Sequence, residues 1–137
     1  RDSAKAHAEG KTFAAYCYSA HGENHWMRMS AQRFREVDER EVEEFISSPE
    51  WVDMFAHVKR SFAGPFGLGL KVVAPEAGFT WPEEDFDGEE SVNARREALA
   101  GDFVARQRLL DYNSGDVQAT RAVREWMDAG APGTTAL

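Results

Sequence analysis

Tyr112 and Asp116 stand four residues apart in Asp111-Tyr112-Asn113-Ser114-Gly115-Asp116-Val117. Side chains at that spacing share one face of a helix. A metal-dependent phosphodiesterase needs a carboxylate to hold Mg²⁺ or Mn²⁺ and a neighbouring group to orient the attacking water. Tyr and Asp can supply both, provided the helix starts early enough to include Tyr112. The same residues also read as plain structure. Asp116 then lies in the first turn of a capped helix, where the dipole favours a carboxylate, and Val123, Trp126 and Met127 form its core face. Both readings stand at this point.

Other groupings carry less. His21, Glu23 and His25 place two histidines four apart, a spacing that can share a zinc ion, with His57 as a further ligand. Their order, His-Gly-Glu-Asn-His, is not the His-Glu-x-x-His of a metalloprotease helix, so exposed histidines are the default. Cys17 is the single cysteine, which excludes a disulfide framework within the chain and reads as a small buried strand residue. No Ser or Cys sits in a nucleophile elbow. Gly64, Gly67 and Gly69 are followed by no Lys-Ser/Thr, as a phosphate loop requires. Glu83 to Glu90 is rich in carboxylates, but its spacing matches no calcium loop and a solvated loop is expected.

The elements that must position these groups are mainly helical. Arg1 to Gly10 reads as a helix tail stopped by glycine. Thr12 to Ser19, rich in aromatics, has the length of a strand. Helices are expected over His21–Phe34 and Glu39–Ile46. Ser48-Pro49-Glu50 reads as the start of another, since Trp51, Phe55, Val58 and Phe62 recur at helical spacing. A short helix from Leu70 is interrupted at Pro75. Further helices are expected over Ser91–Leu99, Asp102–Asp111 and Ser114–Met127, with residues 128–137 as a flexible tail. A single strand among so many helices lacks partners. We expect those strands upstream of Arg1 or in another chain, and an unpaired edge would be a route to dimerisation, which a strictly monomeric state by light scattering would oppose.

Composition sets the outer limits. A chain of 137 residues suits one domain, and 42% hydrophobic with 29% charged residues is ordinary for a globular protein. Four Trp and nine Phe argue against disorder. No apolar run is long enough to span a bilayer, so no membrane partner is expected, and a bacterial cytoplasm is the expected location. The net charge of −8 opposes simple phosphate binding. It is compatible with a carboxylate-lined site in which bound divalent cations invert the local charge.

The segment from Tyr112 to Met127 resembles the third motif of the DEDDy branch of DnaQ-like 3′→5′ exonucleases. It is more similar still to the form in predicted RecB-family nucleases, where Tyr-Asn-x-x-Asp-Val is followed by Ala-Thr-Arg and a Trp. Phe13 to Met27 resembles that family's second motif, Trp51-Val52-Asp53-Met54-Phe55 its following Asp-bearing helix, and Gly69-Leu70-Lys71 its Leu-Lys segment. The ordered match runs from about Thr12 to Met127.

That resemblance implies an RNase H-like α/β fold, represented here by its helical C-terminal half. It implies a metal-dependent nuclease using Mg²⁺ or Mn²⁺ on nucleic acid, DNA before RNA. Glu23 and Asp116 would be metal carboxylates and Tyr112 would position the water. Asp53 would be a supporting metal carboxylate or a cap that orders the site, and Lys71 would face phosphate or simply cover the sheet. The family's first motif, an Asp-x-Glu pair on a strand, does not precede Thr12. The expectation is therefore a partial domain, inactive or weak alone, completed by the N-terminal half of a longer polypeptide or by a second copy. The alternative is a non-catalytic nucleic-acid-binding or scaffold module.

Overall fold

The computed structural model describes residues 1–82, 86 and 88–136. The chain forms two compact units, Arg1–Leu68 and Gly69–Leu137. Of the acidic stretch read above as a loop, Glu83, Glu84, Asp85 and Asp87 lie outside the described residues.

In the first unit, helix α1 (Asp2–Ala8) precedes strand β1 (Ala15–Cys17), helix α2 (Ala20–Phe34), helix α3 (Glu39–Ile46), strand β2 (Trp51–Asp53) and helix α4 (Met54–Ser61). Gly10 takes φ of 69° just beyond α1, a left-handed conformation that glycine adopts without a Cβ penalty. Asp38 caps α3 by accepting the Arg40 amide.

Two expectations are corrected here. Trp51–Asp53 is a strand, not the first turn of a helix, and the Thr12 strand therefore has a downstream partner. β1 and β2 pair in parallel, Ala15 with Trp51, Tyr16 with Val52 and Cys17 with Asp53. The spacing of Trp51, Phe55 and Val58 is real, but only Phe55 and Val58 belong to the helix. Trp51 reaches back instead, its indole N–H donating to the Asn24 side chain at 2.8 Å and its ring lying against Phe45. Parallel pairing demands a long crossover, and α2 with α3 provide it.

The second unit is helical: α5 (Leu70–Glu76), α6 (Gly88–Leu99) and α7 (Phe103–Asp128). Pro75 lies in the last turn of α5, where the helix is about to end. The Phe79 amide returns to the Ala74 carbonyl, with Gly78 at φ of 82° between them. Asp102 caps α7, accepting from the Val104 and Ala105 amides at 2.9 and 3.0 Å.

A third expectation also fails. Instead of helices over Asp102–Asp111 and Ser114–Met127, one 26-residue helix runs through Asn113-Ser114-Gly115 unbroken. Polar pairs one turn apart flank the expected break on either side: Gln107 donates to Asp111 and Gln118 to Ser114. The buried side of α7 carries Ala105, Gly115, Ala119, Thr120 and Val123. Small residues recur along that side, letting neighbouring elements approach closely. Phe86, fully buried, packs with Ala94 of α6 and Ala105 of α7, with Leu109 and Tyr112 at the margin. Past α7, Ala131 is buried and the Pro132 carbonyl accepts from the Trp126 indole.

Among the described residues, no helix is long and apolar enough to cross a membrane.

Candidate active site

α7 places Tyr112 and Asp116 at its middle, one turn apart, rather than at a helix start. The dipole explanation for Asp116 is thereby removed, because the effect fades beyond the first turn. Something else must account for a half-buried carboxylate at this position.

Trp81 does so. Its indole N–H donates to Asp116 Oδ1 at 3.0 Å. The ring lies against α7 at Gly115, where an added Cβ would come within 2.9 Å of Trp81 Cδ1 and 3.2 Å of Nε1. Gly115, well inside the helix, is thus required by packing. Phe79 meets the indole edge-on, with ring centroids 5.1 Å apart. Trp81 is itself buried.

Lys71, from α5, completes the grouping. Its ammonium lies 4.2 Å from the centre of the Trp81 ring and 5.0 Å from that of Tyr112, within the range of cation–π attraction. Tyr112 in turn packs on Phe86, with centroids 4.8 Å apart. The Asp116 carboxyl is held above the ordinary aspartate range. Burial raises it, while the Trp81 hydrogen bond and the Lys71 charge oppose the rise. The Asp116 carbonyl also accepts the Thr120 hydroxyl at 2.9 Å.

The RNase H superfamily profile matches residues 7–128. The chain belongs to the RNase H superfamily. Neither a curated protein nor a solved structure matches it. A mainly helical chain with a small parallel sheet agrees with a partial RNase H-like α/β fold. Membership suggests nuclease-type chemistry, and the RNase H superfamily generally uses divalent metals.

Tested against that chemistry, the expected residues of this RNase H-like chain behave differently. Lys71, Tyr112 and Asp116 come together in the second unit. Asp116 offers carboxylate oxygens, the donor type that hard divalent cations prefer. A carboxylate has about four lone-pair positions, so the bond to Trp81 commits one direction of one oxygen. In the first unit, Glu23 is exposed in the first turn of α2. It stands at the C-terminal end of β1, the end where α/β sheets place their sites. Asp53 closes β2 at the same end. Its carboxylate accepts three backbone amides: Ser19 at 2.9 Å, Ala20 at 3.2 Å and Phe55 at 2.9 Å. Of the two roles expected of Asp53, the capping one is on display. Within each unit, among the described residues, no three His, Cys, Asp or Glu side chains gather as a metal-binding group.

Cys17 is buried and bonded weakly to the Val52 carbonyl. Its thiol is pushed up to about 12, by burial first and then by the charges of Asp53 and Glu23.

Sequence reasoning missed Trp81 and Gly115. One signal was available. A glycine inside a helix costs about 1 kcal/mol relative to alanine, so when it does not break the helix a close neighbour should be sought.

Proposed function

We propose that this RNase H-like chain is a nuclease domain of the DnaQ-like DEDDy type, related to RecB-family nucleases, that hydrolyses phosphodiesters in DNA. The observation that carries the reading is the pairing of Tyr112 with Asp116 one helical turn apart, under the cation of Lys71. Asp116, in the second unit, and Glu23, in the first, each have the role of a metal carboxylate. Tyr112 holds the attacking water by its hydroxyl. Lys71 offers positive charge to a phosphate, and Asp53 orders the start of α2, the helix that carries Glu23. Bound Mg²⁺ or Mn²⁺ would supply Lewis-acid charge and a more acidic water.

The family's first motif belongs to a strand that these residues do not contain. On this reading its carboxylates come from the N-terminal half of a longer polypeptide or from a second copy, and the present residues alone are inactive or weak. The acidic net charge accords with cation-mediated recruitment of phosphate.

Calorimetric titration of Mn²⁺ into the chain and into Asp116→Ala tests the reading. Binding that disappears in the variant supports it. Absence of binding in the unaltered protein removes Asp116 as a metal ligand, and nucleic-acid binding without metal would then favour a non-catalytic module.

A further inference from the structure

Asp116 is half-buried on the middle of a long helix, where neither a cap nor a dipole orients its side chain. A carboxylate there has several rotamers, and a metal ligand must be held in one of them to be useful. The neighbourhood supplies a rigid partner. Trp81 comes from the segment after α5, has one N–H donor and no acceptor, and directs that donor at Oδ1. The ring cannot drift toward the helix, because it already rests on the backbone at Gly115. Its face also carries the Lys71 ammonium, while its edge relation to Phe79 fixes the tilt.

We infer that Trp81 is a positioning residue for the candidate site, fixing the Asp116 carboxylate through Oδ1 from a seat that Gly115 leaves open. The indole also sets where the Lys71 cation stands relative to that carboxylate. Partners of this kind, which hold a ligating group without touching the metal, matter to metal affinity by about 10- to 100-fold. The inference rests on the reading of Asp116 as a metal carboxylate, and its test separates the two.

Trp81→Phe keeps a ring on the Gly115 seat and beneath Lys71 but removes the N–H. The expected result is Mn²⁺ affinity weaker by about 10- to 100-fold, measured by calorimetry, with the far-ultraviolet circular dichroism of the unaltered chain. Affinity equal to that of the unaltered chain would overturn the inference and reduce Trp81 to packing. Should Trp81→Phe not fold, Gly115→Ala, which pushes the indole away, is read in its place with the same expected loss. A second measurement needs no metal. In ¹⁵N-labelled protein, the Trp81 indole N–H resonance is expected to move upfield in Asp116→Ala, while those of Trp26, Trp51 and Trp126 stay. No movement overturns the inference. If the unaltered chain binds no Mn²⁺, the function proposed above fails, and the indole resonance alone decides whether Trp81 holds Asp116.

Discussion

Asp53 Oδ1 accepts the backbone N–H of Ser19 at 2.9 Å across 34 residues of sequence. The same carboxylate accepts Ala20 at the start of α2 and Phe55 at the start of α4, so one side chain caps two helices. Ser19 takes φ of 71° beside it, an unusual conformation for a residue with a Cβ, held by this bond.

Replacing Asp53 by alanine leaves these amides without their carboxylate partner. Losing a single helix cap costs about 1 kcal/mol, and two helix starts are affected. Asp53→Ala should therefore lower unfolding stability by about 2 kcal/mol or more, measured by urea denaturation. Asp53→Asn, which keeps an acceptor oxygen, should recover part of the loss. Equal stability of Asp53→Ala and the parent would refute the capping role.

Gly115 and Gly22 should respond in opposite directions to alanine. Around Gly22 nothing lies within 4 Å of an added Cβ, so Gly22→Ala should stabilise α2 by about 0.5–1 kcal/mol through backbone entropy. Gly115→Ala meets the Trp81 ring, and overpacking of this sort costs about 1–3 kcal/mol. It should therefore destabilise despite alanine's better helix propensity. Thermal melts of the two variants check both signs.

Alkaline pH should weaken the first unit. Cys17 and Tyr18 are each pushed up to about 12, from ordinary values of 9.0 and 10.0, burial being the leading cause for both. Above about pH 9 the unfolded chain releases these protons while the folded chain keeps them, so stability falls with rising pH. It is fully present below pH 9 and lost progressively toward pH 12. Urea midpoints at pH 8 and pH 10.5 measure the fall, and Cys17→Ala should flatten it. Alkylation of Cys17 in the folded protein at pH 8 should be much slower than in urea.

Lys71→Gln should weaken binding to single-stranded DNA if Lys71 meets phosphate as proposed. The slope of log K against log salt should shrink by about 1. An unchanged slope would assign Lys71 to covering the Trp81 and Tyr112 rings.

Much of the helical framework was legible because local signals and tertiary demands agreed. Glu39–Ile46 has an aspartate cap before it and an apolar stripe within it, and it forms with those bounds. Trp51 was not legible. Its spacing to Phe55 and Val58 satisfies a helix, whereas three residues of strand arise only from pairing with β1, a contact between residues far apart in sequence. The break expected between Asp111 and Ser114 failed for the converse reason. Asn and Ser favour turns locally, but one helix continues through them, and the indole of Trp81 packs on the bare backbone of Gly115 in helical form. For the candidate site, the Tyr112–Asp116 spacing pointed to a shared face. The group that orients Asp116 lies 35 residues earlier, and no periodicity connects the two.

The parallel register of β1 and β2 bears on how the chain acquires its structure. Cys17 cannot meet Asp53 until the intervening polypeptide has doubled back, and that loop must lose its entropy before the pairing gives any return. Contacts in the second unit join nearer neighbours, such as α6 and α7. During folding, protection of backbone amides from hydrogen exchange should therefore arise in α7 before it arises at Ala15–Cys17. The end of the sheet at which α2 starts, with Glu23 in its first turn, would then be among the last parts to mature.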